Sequence, residues 1–106
     1  MAATTTEVRE KLDLALNALE GELTDLSSIL EDQQRGDLPS LERDVRAMEW
    51  GQVMGTLRTI LYPAYRSGQM TPEQATRYRA LLLRLKEAMP VIERLGFAKP
   101  TISLEP

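Results

Sequence analysis

The chain has no cysteine and no histidine in its 106 residues. Those two absences remove most of the side chains on which hydrolytic and metal chemistry is built. There is no triad of the usual kind, no thiolate nucleophile and no zinc site made from soft ligands. Disulfides are impossible as well, which fits a reducing compartment. No uncharged apolar run approaches the about 18 residues that mark a membrane-spanning helix. The opening MAATTTEVREKL mixes acids and bases and lacks the apolar stretch of a secretion signal. The six glycines are scattered, and none stands in the G-x-x-x-x-G-K pattern of a phosphate loop. These exclusions point to a single cytoplasmic domain with no membrane contact, no cofactor and no metal.

What is present is helical periodicity. In the first segment Leu12, Leu19 and Leu26 form one heptad row and Leu16, Leu23 and Leu30 a second, with Val8, Ala15 and Ile29 between them. Seven residues are nearly two helical turns, so the two rows lie side by side as one wide face. Thr4 and Glu7 have capping-box spacing at its start. Arg35-Gly36-Asp37-Leu38-Pro39 supplies a glycine and then a proline to end it. The Arg-Gly-Asp tripeptide, known from cell adhesion, is read here as that helix-ending turn.

A second helix is expected from about Pro39, with Leu41, Val45, Met48, Val53, Leu57, Ile60 and Leu61 as its apolar seam. Gly51 and Gly55 each weaken it by about 1 kcal/mol relative to alanine, a cost that close approach of another helix, a packed Trp50 or a hinge would justify. Pro63 predicts a kink or a restart and Gly68 the end of the turn. The third helix has the clearest start. Thr71-Pro72-Glu73-Gln74 offers a threonine cap, a proline at the first helical position and glutamine at the capping-box position. Ala75, Tyr78, Leu82, Leu85, Met89 and Ile92 then form an a/d seam, widened by Leu81, Leu83 and Ala88. Pro90 predicts a kink and Gly96 the end.

The expected architecture is all-α: an up-down-up antiparallel three-helix bundle over residues 1–96, with helices at about 5–34, 39–67 and 72–95. An extended tail follows over residues 97–106, and dimerisation could complete the bundle. Phe97, Ile102 and Leu104 in the tail either fold back or reach a neighbour.

Charge is unevenly spread. Residues 1–37 hold nine acids and three bases, a net −6, whereas residues 38–106 hold seven acids and ten bases, a net +3. Glu7–Lys11, Glu31–Arg35, Glu42–Arg46 and Glu73–Arg77 have the spacing of local helical ion pairs. Arg58, Arg66, Arg79, Arg84 and Lys86 remain, with Tyr62, Tyr65 and Tyr78 interleaved. Arginine beside tyrosine can hold phosphate, stack on bases or anchor a protein interface, although a sequence pI near 5.0 weighs against a dedicated nucleic-acid binder. Among the carboxylates, Glu22 is the one most placed to intrude on an apolar seam, and one such acid is far short of a catalytic pair.

The functional expectation rests on apolar surplus. Two leucine rows on the first helix and Leu83 outside the third seam exceed what one bundle axis needs, and large exposed patches on monomers mark interaction sites. The sequence therefore points to a non-catalytic interaction or assembly module. A homo-oligomer, with a dimer favoured, is the first expectation, and another protein is the second partner considered. Candidate contacts are Tyr62, Tyr65, Arg66, Arg79, Leu83 and Arg84. The alternative is a nucleic-acid or phosphate-ligand site at the same basic end.

Overall fold

The computed structural model describes residues 6–105, all of the regular structure among them being helical. The elements are α1 (Thr6–Gln34), α2 (Ser40–Thr56), a π turn (Leu57–Leu61), α3 (Tyr62–Arg66), α4 (Pro72–Glu87) and α5 (Met89–Leu95). The Thr4 half of the expected first capping box lies outside the described residues.

Both leucine rows of α1 are buried along almost their whole length, with Leu30 half-buried at the end. The reason is position. α1 lies against α2, the π turn, α4 and α5 together, so one wide face is consumed inside one chain. The order of contacts gives the directions. Gln33 meets Arg43 at one end of the α1–α2 pair while Val8 and Leu12 meet Ile60 and Pro63 at the other, so α2 runs against α1. Asp13 bonds Gln74, Asn17 bonds Arg77 and Thr24 bonds Arg84, so α4 runs with it. The result is a body of 54 × 24 × 19 Å.

Helix ends follow the glycines. The Gly36 N–H donates to the Gln33 carbonyl and the Asp37 N–H to the Asp32 carbonyl, with Gly36 at φ 76°. That 5→2 and 6→1 pair is the left-handed close of a helix, which glycine adopts without a Cβ penalty. The Arg-Gly-Asp tripeptide is thus a helix-ending turn. Gly68 and Gly96 end their helices in the same way.

Both prolines lie where the helix is interrupted, as expected, each in its own way. Helix continues from Ser40 to Arg66, and the chain accommodates Pro63 by widening the preceding turn, where the Tyr62 N–H reaches back five residues to the Leu57 carbonyl. A proline interferes with the carbonyl four residues before it, and a π turn is the usual way an extra residue enters a helix. The third segment, expected as one helix over 72–95, is two. The break falls at Ala88, and Pro90 then sits in the first turn of α5, where an N–H is not needed.

The second helix needs the largest correction. Leu41, Val45 and Met48, expected in the core, are 77%, 42% and 57% exposed. The later part of the expected seam is in the core, with Leu57 and Leu61 buried and Val53 and Ile60 half-buried, and the buried line is completed by Trp50, Met54 and Ala64. Gly51 and Gly55 do not admit a neighbour or accommodate Trp50, since nothing lies within 4 Å of where a Cβ would stand at either.

The tail folds back. Phe97 is buried, with its ring 6.4 Å from that of Trp50, and the Trp50 indole N–H donates to the Ala98 carbonyl at 2.7 Å. Arg43 donates to the Leu95 carbonyl at the C-terminal end of α5, where a cation complements the helix dipole, and its guanidinium stands 6.0 Å from the centre of the Phe97 ring. Ile102 and Leu104 lie half-buried against the core.

Candidate functional site

The junction of α3 and α4 gathers some of the expected contact residues. Tyr62 and Tyr65 lie on the same helical run as Arg66, and the Tyr65 ring sits 4.7 Å from that of Tyr78. Together with Leu82, Ser103 and Glu105 they enclose a cavity of about 40 Å³. Tyr78 is wholly buried and its hydroxyl has no hydrogen-bond partner among the described residues. Burial first, then the neighbouring Tyr62 and Tyr65 hydroxyls, push its pKa up to about 12. A phenol so placed stays protonated and cannot serve as a base at neutral pH. Its position on the a/d seam makes it core.

The bases around it are less concentrated than the sequence implies. Arg79 is exposed and bonds the neighbouring Thr76 hydroxyl. Arg84 leaves the tyrosine cluster, reaching across to Thr24 on α1 at 3.3 Å. Lys86 is taken by Glu105 of the tail at 2.7 Å. Arg66 and Arg58 are exposed and make no ion pair among the described residues. Leu83 stands 58% exposed on the outer side of α4.

None of the four local ion pairs expected from sequence forms. Arg77 pairs with Glu20 on α1 in place of Glu73, and Arg35 pairs with Asp32 and Asp37 in place of Glu31. Tertiary neighbours and the helix-ending turn outcompete contacts worth about 0.2–0.5 kcal/mol each.

Glu22 does intrude on the α1–α2 contact. Partial burial raises its pKa, Glu49 and Asp25 raise it further, and Arg46 acts in the opposite sense. Among the described residues no cluster of acids could hold a metal ion. A carboxyl with a raised folded-state pKa costs stability when ionised, so its penalty grows as pH rises from the ordinary carboxylate range through the folded value. Glu22→Gln is therefore expected to stabilise the fold at neutral pH by about 0.3–0.5 kcal/mol, a small figure because solvent screens the carboxylate. That gain should fade on acidification toward about pH 4. Urea unfolding of both proteins at several pH values reads the difference directly, and a pH-independent difference would contradict the assignment.

One surface was hidden from the sequence pattern. Leu41, Val45 and Met48 follow at steps of four and three, on the side of α2 opposite its buried line. Gly51 and Gly55 extend that side with open backbone. The signal that would have exposed it is the second seam on the same helix, Arg43, Ala47, Trp50, Met54, Leu57 and Leu61, whose unbroken four-three spacing begins with a charged residue.

No family model, no curated protein and no solved structure matches the chain. No helix among the described residues is long and apolar enough to cross a membrane.

Proposed function

We propose that this chain is a small non-catalytic assembly module, an up-down-up three-helix bundle with an extended tail, that associates with a second copy of itself. The observation that carries this reading is the outward row of Leu41, Val45 and Met48. Three large apolar side chains in one line on the solvent side of a helix add nothing to the fold of the single chain. Contiguous apolar surface of that kind is characteristic of contact sites. The leucine rows of α1, which first suggested a surplus, support the reading no longer, because they close inside the bundle.

Native mass by light scattering, over a dilution series at low and at high salt, tests it. The expected result is a dimer or larger species at both salts, dissociating on dilution. A monomer at every concentration in both would overturn self-association.

A second reading has its own observation: Arg66 lines the cavity with Tyr62 and Tyr65, and it, Arg58 and Arg79 have no carboxylate partner among the described residues. A phosphate or nucleic-acid ligand held there would be lost steeply as salt rises, since each neutralised phosphate releases counterions. Titration with a short single-stranded oligonucleotide at the same two salts separates the two readings.

A further inference from the structure

The reading that this chain self-associates leaves open which surface receives the α2 row. Pairing α2 with α2 is opposed by charge. Glu42 and Glu49 flank the row on one side and Asp44 on the other, all three exposed. In an antiparallel pair the two glutamates of one copy face the same two glutamates of the other. In a parallel pair they face Asp44. Either arrangement sets acids against acids, and like-charge contacts at an interface discriminate against that pairing.

The outer side of α4 has the complementary character. Leu83 is its large exposed apolar residue; the exposed Arg79 and Lys86 lie to one side of it and Glu87 and Arg84 to the other, with Arg84 reaching toward Thr24 of α1. One to three turns earlier on the same helix, Pro72, Glu73, Thr76, Arg77 and Ala80 line an open depression of about 460 Å³. The α2 row from Leu41 to Gly55 is about 21 Å long at 1.5 Å per residue, close to the reach of α4 from Pro72 to Leu83 with its flanks. Gln52, exposed, continues the line beyond Met48, with Gly51 and Gly55 on either side of it adding no side chain of their own.

We infer that copies associate heterologously, the acid-flanked Leu41-Val45-Met48 row of one seating on the arginine-flanked Leu83 face of α4 of the next. Such a contact closes into a two-fold pair when both copies make it reciprocally, and otherwise propagates into longer assemblies. Opposite charges at its rim steer the encounter and fix its direction.

The test uses two variants of the full chain, Met48→Lys and Leu83→Asp. Both positions are exposed, so thermal melts of each should match the parent. The first sets a cation against the arginines of α4, and the second sets an acid against the acids of α2. Each alone is expected to weaken association by about 100-fold, the scale of a central contact residue. Mixed one to one, they should associate again, because the intact α2 row of one meets the intact α4 face of the other. If Leu83→Asp still associates while Met48→Lys does not, α2 pairs with α2 and the inference is overturned while self-association stands. If neither variant weakens association, or the mixture fails to recover it, the inference is likewise overturned. If the parent chain never associates, the underlying reading fails along with it.

Discussion

Trp50→Ala is expected to cost about 3–5 kcal/mol of stability, the range for truncating a large buried aromatic. Domains of this kind are stable by only about 5–15 kcal/mol, so a substantial part of the variant could be unfolded at ambient temperature. Two physical effects add. The indole is 1% exposed and fills the space between α2 and the chain end, so its removal leaves a void against the Phe97 ring. The indole N–H also fixes the start of the tail through the Ala98 carbonyl. Trp50→Phe separates them: it keeps most of the packing, gives up the hydrogen bond and should cost about 1–2 kcal/mol, mostly the lost bond and a small void. Urea unfolding followed by far-UV circular dichroism serves both variants, neither of which retains the tryptophan signal. Amide exchange at Phe97, whose N–H closes α5 onto the Ile92 carbonyl, should accelerate in both. A cost below about 1 kcal/mol for the alanine variant would contradict the burial of Trp50 and its hold on the tail.

The elements that could be read from sequence are those whose apolar pattern is unopposed. α1 carries two leucine rows and nothing on the remaining surface competes with them except Leu14, which is exposed. The start of α4 was legible because a capping box is local chemistry. The Thr71 hydroxyl accepts from the Gln74 N–H and the Gln74 side chain accepts from the Thr71 N–H. α2 was misread because it carries two seams, and hydrophobicity alone prefers the wrong one. Leu41, Val45 and Met48 look like core; the true seam opens with Arg43, whose charge is absorbed by the Leu95 carbonyl and the Phe97 face. No local pattern encodes partners more than fifty residues away. The same limit applies to the basic site. Arginines read along α4 form one cluster, but Arg77 and Arg84 turn toward α1, Lys86 toward the tail and Arg79 onto Thr76, leaving Arg66 of α3 as the base that lines the tyrosine cavity. The cap residue Gln74 shows the limit most directly, because its other half is tertiary.

Gln74→Glu exploits that second half. The Gln74 amide nitrogen donates to the Asp13 carboxylate at 2.8 Å and to the Arg9 carbonyl at 3.0 Å, while its oxygen accepts from the Thr71 N–H, and the residue is 4% exposed. A carboxylate there keeps the acceptor and loses both donors, placing a second negative charge against Asp13 in a buried site. The expected cost at neutral pH is about 3–5 kcal/mol, that of leaving a buried charge uncompensated. Burial and Asp13 both raise the folded-state pKa of the introduced acid above its unfolded value of about 4.3. The folded state then binds the proton more tightly, so stability is lost as pH rises through that window and regained as pH falls back through it. The regain is partial, since a protonated carboxyl supplies one donor where the amide supplied two. Gln74→Met is the control of similar size: it loses the same donors without adding charge, and its cost should be about 1–3 kcal/mol with little pH dependence over this window. Unfolding both variants at about pH 7 and about pH 4.5 should bring them toward each other at the lower value. If the gap between them stays constant, Gln74 does not face Asp13, and the contact that ties the start of α4 to α1 is not made.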